Sequence, residues 1–258
     1  MRSLVGFMIA TALAFVFAPA AFAGRIIVNH DEWTLSDTGA STAGAGNVST
    51  FIGNVASFMD VDGGACNFLV YSSNFGVTQA TFTSGMSAAG CSVTAYTGVF
   101  NTGVGTLADY DGVFLALPPS TYDPTALASY VNSGGSVYIA AGTGVGGSVF
   151  EAGLWNPFLN LFGLDLGATY NGCCGVDSVE VTHVIEAGVS QLYYNNGNTV
   201  SLVGGNPNAQ IIEFSGTSLG LIGVYDDIEV TPVPEPGTLL CLLLALAALR
   251  QIRIARPS

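Results

Sequence analysis

The chain has 258 residues, half of them hydrophobic and 9% charged, with 18 acids against five arginines and no lysine. That is apolar material for one substantial core or two small ones. Nucleic-acid binding is excluded, because phosphate recognition needs clustered Lys and Arg, and Arg25 is the only such residue between residues 24 and 230, against 17 acids. The same field repels anionic lipid head groups and admits soluble cations and neutral polymers such as polysaccharide.

The N-terminus carries Arg2, the apolar stretch Leu4 to Phe17, and the small-x-small site Ala21-Phe22-Ala23. This is the pattern of a secretory signal peptide over residues 1–23, cut by signal peptidase between Ala23 and Gly24. An exported domain is expected over 24–230. It opens on a short strand, Arg25 to Val28, followed by Asn29 to Trp33 and a small-residue stretch. Val48, Phe51, Ile52, Val55 and Phe58 or Met59 then recur at helical spacing. Phe68 to Tyr71 reads as an apolar strand and Val77 to Ala89 as a helix with Phe82, Met86 and Ala89 inward, capped by Gly90. Val93 to Tyr96 and Val113 to Leu117 read as the next strands. Asp123-Pro124 reads as N-cap and first-turn proline of a helix bearing Leu127, Tyr130 and Val131, stopped by Gly134-Gly135. Val137 to Ala140 is a further strand. Beyond Trp155 the pattern weakens: a short helix over Asn156 to Gly163, then strands over Thr199 to Val203, Gln210 to Phe214 and Leu219 to Tyr225. Strands that are apolar on both faces, alternating with helices, predict an α/β domain with a parallel sheet covered on both sides.

Four cysteines fall in the exported part: Cys66, Cys91, Cys173 and Cys174. In an oxidising compartment they are disulfide candidates. Cys66 and Cys91 each precede a strand, so adjacent parallel strands would bring them to one sheet edge; Cys173 and Cys174 remain as a vicinal pair or free thiols. Adjacent cysteines without a second pair do not have zinc-ligand spacing.

Several segments are weighed for chemistry. Gly142-Thr143-Gly144-Val145-Gly146-Gly147 satisfies G-x-G-x-x-G after a strand, but no strong helix opens at its end, so a loose loop is expected over a dinucleotide site. Asp60-x-Asp62-Gly63 and Asp226-Asp227-x-Glu229 are acidic clusters that could bind calcium weakly, but a solvated turn is expected for both, and the twelfth position of the first is Tyr71, which is no EF-hand ligand. Trp33 beside Asp31 and Glu32 reads either as a sugar-stacking residue or as core, and Trp155 as core. No metal ligand set and no organic cofactor is expected.

The chain ends on Val233-Pro234-Glu235-Pro236, a leucine-rich run Gly237 to Leu249, and Arg250, Arg253 and Arg256. The 13-residue run spans about 20 Å as a helix, short of a bilayer core of about 30 Å. Snorkelling arginines would lengthen it, and the cluster would stay cytoplasmic. Cys241 within the run is apolar enough to sit there. Residues 231–258, with this order of proline motif, membrane helix and basic cluster, closely resemble the PEP-CTERM sorting signal of Gram-negative bacteria. The resemblance implies an inner-membrane intermediate, processing by an exosortase, and delivery to the cell surface or medium, in proteins associated with exopolysaccharide and biofilm.

A second resemblance covers about Phe68 to Gly188. The phrases FLVYSSNFGVTQATFTSGMSAAGCSVTAY, LADYDGVFLALPPSTYDPTALASYVNSGGSVYIAAGTG and LWNPFLNLFGL look like the flavodoxin-like, class I glutamine amidotransferase-like fold. In its catalytic members a cysteine sits on a sharp turn after a central strand, paired with a histidine. The corresponding turn, Ala141-Gly142-Thr143, holds no cysteine. Together these readings predict an exported, non-catalytic surface or matrix protein. The alternatives are a hydrolase or amidotransferase-like enzyme built on Thr143, His183 and Glu186, which would require the three to converge, and a calcium-dependent carbohydrate-binding module.

Overall fold

The computed structural model describes residues 23–72, 76–98, 100, 107–116, 118–119, 122–216 and 218–227. Ala21, Glu229, the Val233 to Pro236 motif, the apolar run and the Arg250, Arg253 and Arg256 cluster lie outside them. Among the described residues no helix is long and apolar enough to cross a membrane.

Five parallel strands form the centre of one sheet: β1 (Arg25–Asn29), β2 (Asn67–Tyr71), β3 (Ser92–Tyr96), β4 (Gly112–Leu115) and β5 (Ser136–Ala140). They lie in the order β3-β2-β4-β5-β1. Past β1 the sheet continues with two antiparallel strands, Gly220–Asp226 and then Ala209–Phe214. Side chains alternate across a strand, so Ile27, Phe68, Val70, Phe114 and Tyr138 enter one core while Ile26, Val28, Leu69, Val113, Val137 and Ile139 enter the other. Each fully buried side chain of this size contributes roughly 1.5–3 kcal/mol, which is why β1, β2, β4 and β5 are largely apolar; the edge strand β3 is instead mostly exposed, contrary to the expectation of strands covered on both faces.

Helices α1 (Asp37–Ala43), α2 (Ala45–Met59) and α3 (Ala80–Ala88) cover the first face. Helices α4 (Pro124–Asn132) and α5 (Ser148–Leu159) cover the second. Asp123 starts α4 by accepting the amides of Thr125 at 2.8 Å and Ala126 at 3.2 Å, with Pro124 in the first turn. Gly134, at φ +104°, ends it. Asn67 pairs with Ser92 in the β2–β3 register, which sets the preceding Cys66 and Cys91 side by side; they are disulfide-bonded with Cα atoms 4.7 Å apart.

Two departures from the sequence reading lie after β5. A helix does open directly behind the glycine loop: α5 begins at Ser148 and runs to Leu159, eight residues earlier than the short helix expected from Asn156. Val149 and Phe150 on it are exposed while Trp155, Phe158 and Leu159 are buried. Apolar residues on every side leave no amphipathic stripe to read, and Pro157 further obscures it. The second departure is a pair of small antiparallel ladders. Strand β6 (Leu164–Tyr170) pairs with β9 (Asn198–Leu202), and β7 (Gly175–Ser178) with β8 (Gln191–Tyr194). Three of these four strands are absent from the sequence reading, because they are short or half-exposed and lack an apolar run. The two remaining sheet strands are β10 (Ala209–Phe214) and β11 (Gly220–Asp226).

Candidate functional site

Strands β1 and β5 are parallel neighbours whose connections leave for opposite faces, β1 towards α1 and α2, β5 towards α5. A crevice at the carboxyl ends of such a strand pair is where open α/β sheets place ligands. Here that place is filled: His30, Asp31 and Glu32 from the end of β1 pack near Gly142, at the start of the loop behind β5, and Glu151. All three acids are buried.

Two of these acids are spent on the protein's own backbone. Asp31 accepts the amide of Trp33 through Oδ1 at 3.0 Å and that of Asn195 through Oδ2, tying the end of β1 to the turn after β8. Glu151, in the first turn of α5, accepts the amides of Gly142 at 3.2 Å and Thr143 at 2.8 Å, the Thr143 hydroxyl, and the Tyr170 hydroxyl at 3.2 Å. Two amides of the G-x-G-x-x-G loop, those of Gly142 and Thr143, are thus already capped by an internal carboxylate rather than turned to a ligand. Burial pushes the Asp31 carboxyl up to about 7 against the pull of its amide donors. It pushes Glu32 up to about 8, with Asp31 and Glu151 adding repulsion. Glu151 is raised by burial and held back by its four donors. His30 is fully buried, neither ring nitrogen has a partner, and burial lowers it to about 3, so the imidazole is neutral.

At Gly142 the turn leaves no room for a side chain. Gly142 sits at φ +67°, and a Cβ there would lie 2.9 Å from the Gly197 Cα, 2.9 Å from the His30 carbonyl oxygen and 3.0 Å from that of Asn196. Only glycine fits this conformation and spacing. Comparison with family models, with curated proteins and with solved structures returns no match.

Thr143, His183 and Glu186 do not converge. Thr143 lies at the carboxyl end of β5, bonded to Glu151. His183 and Glu186 cap a 3-10 turn, Val184–Glu186, in which the Glu186 carboxylate accepts the amides of Thr182 at 2.8 Å and His183 at 3.0 Å. That turn lies by the other end of β1: His183 lines a groove of about 560 Å³ with Arg25, Asn54, Ser57, Phe58, Thr182, Val184, Gln210 and Asp226. The constellation demanded by a Thr-His-Glu enzyme is thus split between the two ends of one strand. Burial raises both Glu186 and Glu213; the Glu186 carboxyl adds to the rise of Glu213, which reaches about 8, while the hydrogen bond from Glu213 holds Glu186 back.

The remaining candidates are mostly committed to structure. Asp226 pairs with Arg25 at 2.9 Å, and Asp227 accepts from Asn208 at 2.9 Å and Tyr225 at 3.2 Å. Asp62 caps the Gly64 amide at 3.0 Å, and Asp60 beside it is raised by burial and by Asp62. Cys173 and Cys174 lie against each other with Asp177 close by. Trp155 is core, its ring 5.2 Å from that of Tyr122; Trp33 is half-buried. Glu151, Tyr170 and Asn195 were missed in the sequence. A carboxylate in the first turn of a helix behind a glycine loop is the one signal that could have found Glu151.

Proposed function

We propose that this chain is an exported, non-catalytic protein of the cell surface or extracellular matrix, released from its signal peptide and handed to an exosortase by its PEP-CTERM-like tail. Its domain serves binding or structure, with exopolysaccharide as the partner class. The observation that carries the non-catalytic reading is the turn after β5. A glycine at φ +67° is walled in by the backbone of His30, Asn196 and Gly197, and the neighbouring amides are capped by Glu151.

The finer fold reading belongs here too. Strands β3-β2-β4-β5 follow the order 2-1-3-4 of flavodoxin-like sheets. The place of the fifth strand is taken by β1, from the start of the chain rather than its end. A class I glutamine amidotransferase-like ancestry is consistent with this order and with a former elbow after β5. The Cys66–Cys91 bond is compatible with an oxidising compartment.

Intact-mass measurement on surface, medium and cytosolic fractions tests the proposal. The expected product starts at Gly24, ends in or near Val233 to Pro236, carries its disulfides, and lies outside the cytoplasm. An unclipped cytosolic chain with all thiols reduced overturns it.

A further inference from the structure

The groove at the first residue of β1 differs in kind from the acidic rim. It contains Arg25, the only Arg or Lys between residues 24 and 230. The guanidinium donates through Nε to Asp226 Oδ1 at 2.9 Å and through Nη1 to the Phe58 carbonyl at 2.6 Å, and lies 4.7 Å over the Phe58 ring. Nη2 is uncommitted among the described residues, and so is Asp226 Oδ2. The ion pair therefore presents a donor and an acceptor side by side with no net charge.

The other walls repeat this balance. His183 stands edge-on to Phe58, ring centroids 4.9 Å apart, and its Nδ1 accepts the Ile185 amide at 3.4 Å. The neutral ring then carries its proton on Nε2, as a donor; burial, the larger effect, favours that neutral form. Asn54 spends its amide hydrogens on the carbonyls of Ile185 at 3.1 Å and Ala187 at 2.8 Å, which leaves Oδ1 as an acceptor. The exposed side chains of Ser57 and Gln210 make no hydrogen bond to the described residues. Val184, 65% exposed, adds an apolar surface.

We infer that this groove binds a neutral pyranose, one sugar unit of a polysaccharide. A volume of about 560 Å³ falls in the range of small-ligand sites. A ring of hydroxyls, each both donor and acceptor, matches alternating donors and acceptors, while its C–H face suits Val184. An anionic ligand would meet the surplus of acids on the domain, and a cationic one would meet Arg25. The inference rests on the binding role proposed above for the choice of polymer, but its test is independent of export.

The purified full-length chain, held in a sugar-free zwitterionic detergent, is titrated with glucose, galactose, mannose and N-acetylglucosamine, with glucuronate as the anionic control. Saturation-transfer NMR and calorimetry read binding. At least one neutral sugar should bind saturably, with Kd on the order of 1–10 mM, and glucuronate about tenfold more weakly. The double variant Ser57→Ala/Gln210→Ala should lose about tenfold in affinity with an unchanged melting temperature, since both side chains are exposed. No saturable binding by any neutral sugar, glucuronate binding equally well, or binding indifferent to the double variant would each overturn the assignment. Correct export with no sugar binding would remove this inference alone; sugar binding by an unexported chain would remove only the export reading.

Discussion

The two ends of β1 use polar groups in opposite ways. At its carboxyl end Asp31 and Glu151 turn inward, and their oxygens are filled by backbone amides and hydroxyls. At its amino end Arg25 and Asp226 satisfy each other in part and leave donors and acceptors facing an open groove. A buried acid surrounded by donors staples loops; a half-exposed pair with spare valences can meet a ligand. The carboxyl end of β1 is therefore closed by internal hydrogen bonds, and its amino end carries an open groove.

The largest expected effect comes from breaking the closed end. Glu151→Ala would leave two buried amides and two hydroxyls without their acceptor, at a cost of about 3 kcal/mol, read as a lowered urea midpoint. Glu151→Gln, which keeps one carbonyl oxygen, should cost about half as much. Equal, negligible losses would mean that the rim is not a staple.

A pH series sharpens the contrast next. Asp31 and Glu32 titrate at about 7 and about 8 in the folded chain, above the usual carboxylate range. Between about pH 4 and 8 these two acids hold protons in the folded state that they lose in the unfolded one, so their contribution to stability falls as pH rises; His30, lowered to about 3, opposes them only below about pH 6.5. The melting temperature should be higher at pH 5 than at pH 8.5, and Glu32→Gln should flatten the slope. A melting temperature that climbs across this window would contradict the burial of these acids.

The smallest effect is expected at the open end. Arg25→Met removes a partly exposed ion pair and its contact with Phe58, costing about 1 kcal/mol. The pyranose affinity of the groove should fall while the pH slope of the rim stays unchanged. A loss as large as that of Glu151→Ala would make the two ends alike.

Much of the frame was legible from residues alone. Apolar runs such as Phe68 to Tyr71 and Val137 to Ala140 could only be buried strands, and Asp123-Pro124 could only open a helix, because local patterning and capping act over a few residues. Helix α5 was not legible, since Val149 and Phe150 put apolar surface on its solvent side. Nor were β6 to β8, whose partners lie 13 or more residues away and whose sequences lack a continuous apolar run.

By itself the sequence determined the composition-level facts: a negatively charged α/β domain with parallel strands, two oily and arginine-bearing ends, and a glycine-rich turn behind the fifth parallel strand. Only the tertiary structure decided that Glu151 fills the loop amides, that Asn196 and Gly197 wall in Gly142, and that Thr143 and His183 stand at opposite ends of β1. These are contacts between residues far apart in the chain. Burial and hydrogen-bond satisfaction are properties of the packed neighbourhood, and no local pattern encodes which distant donor a given carboxylate will meet.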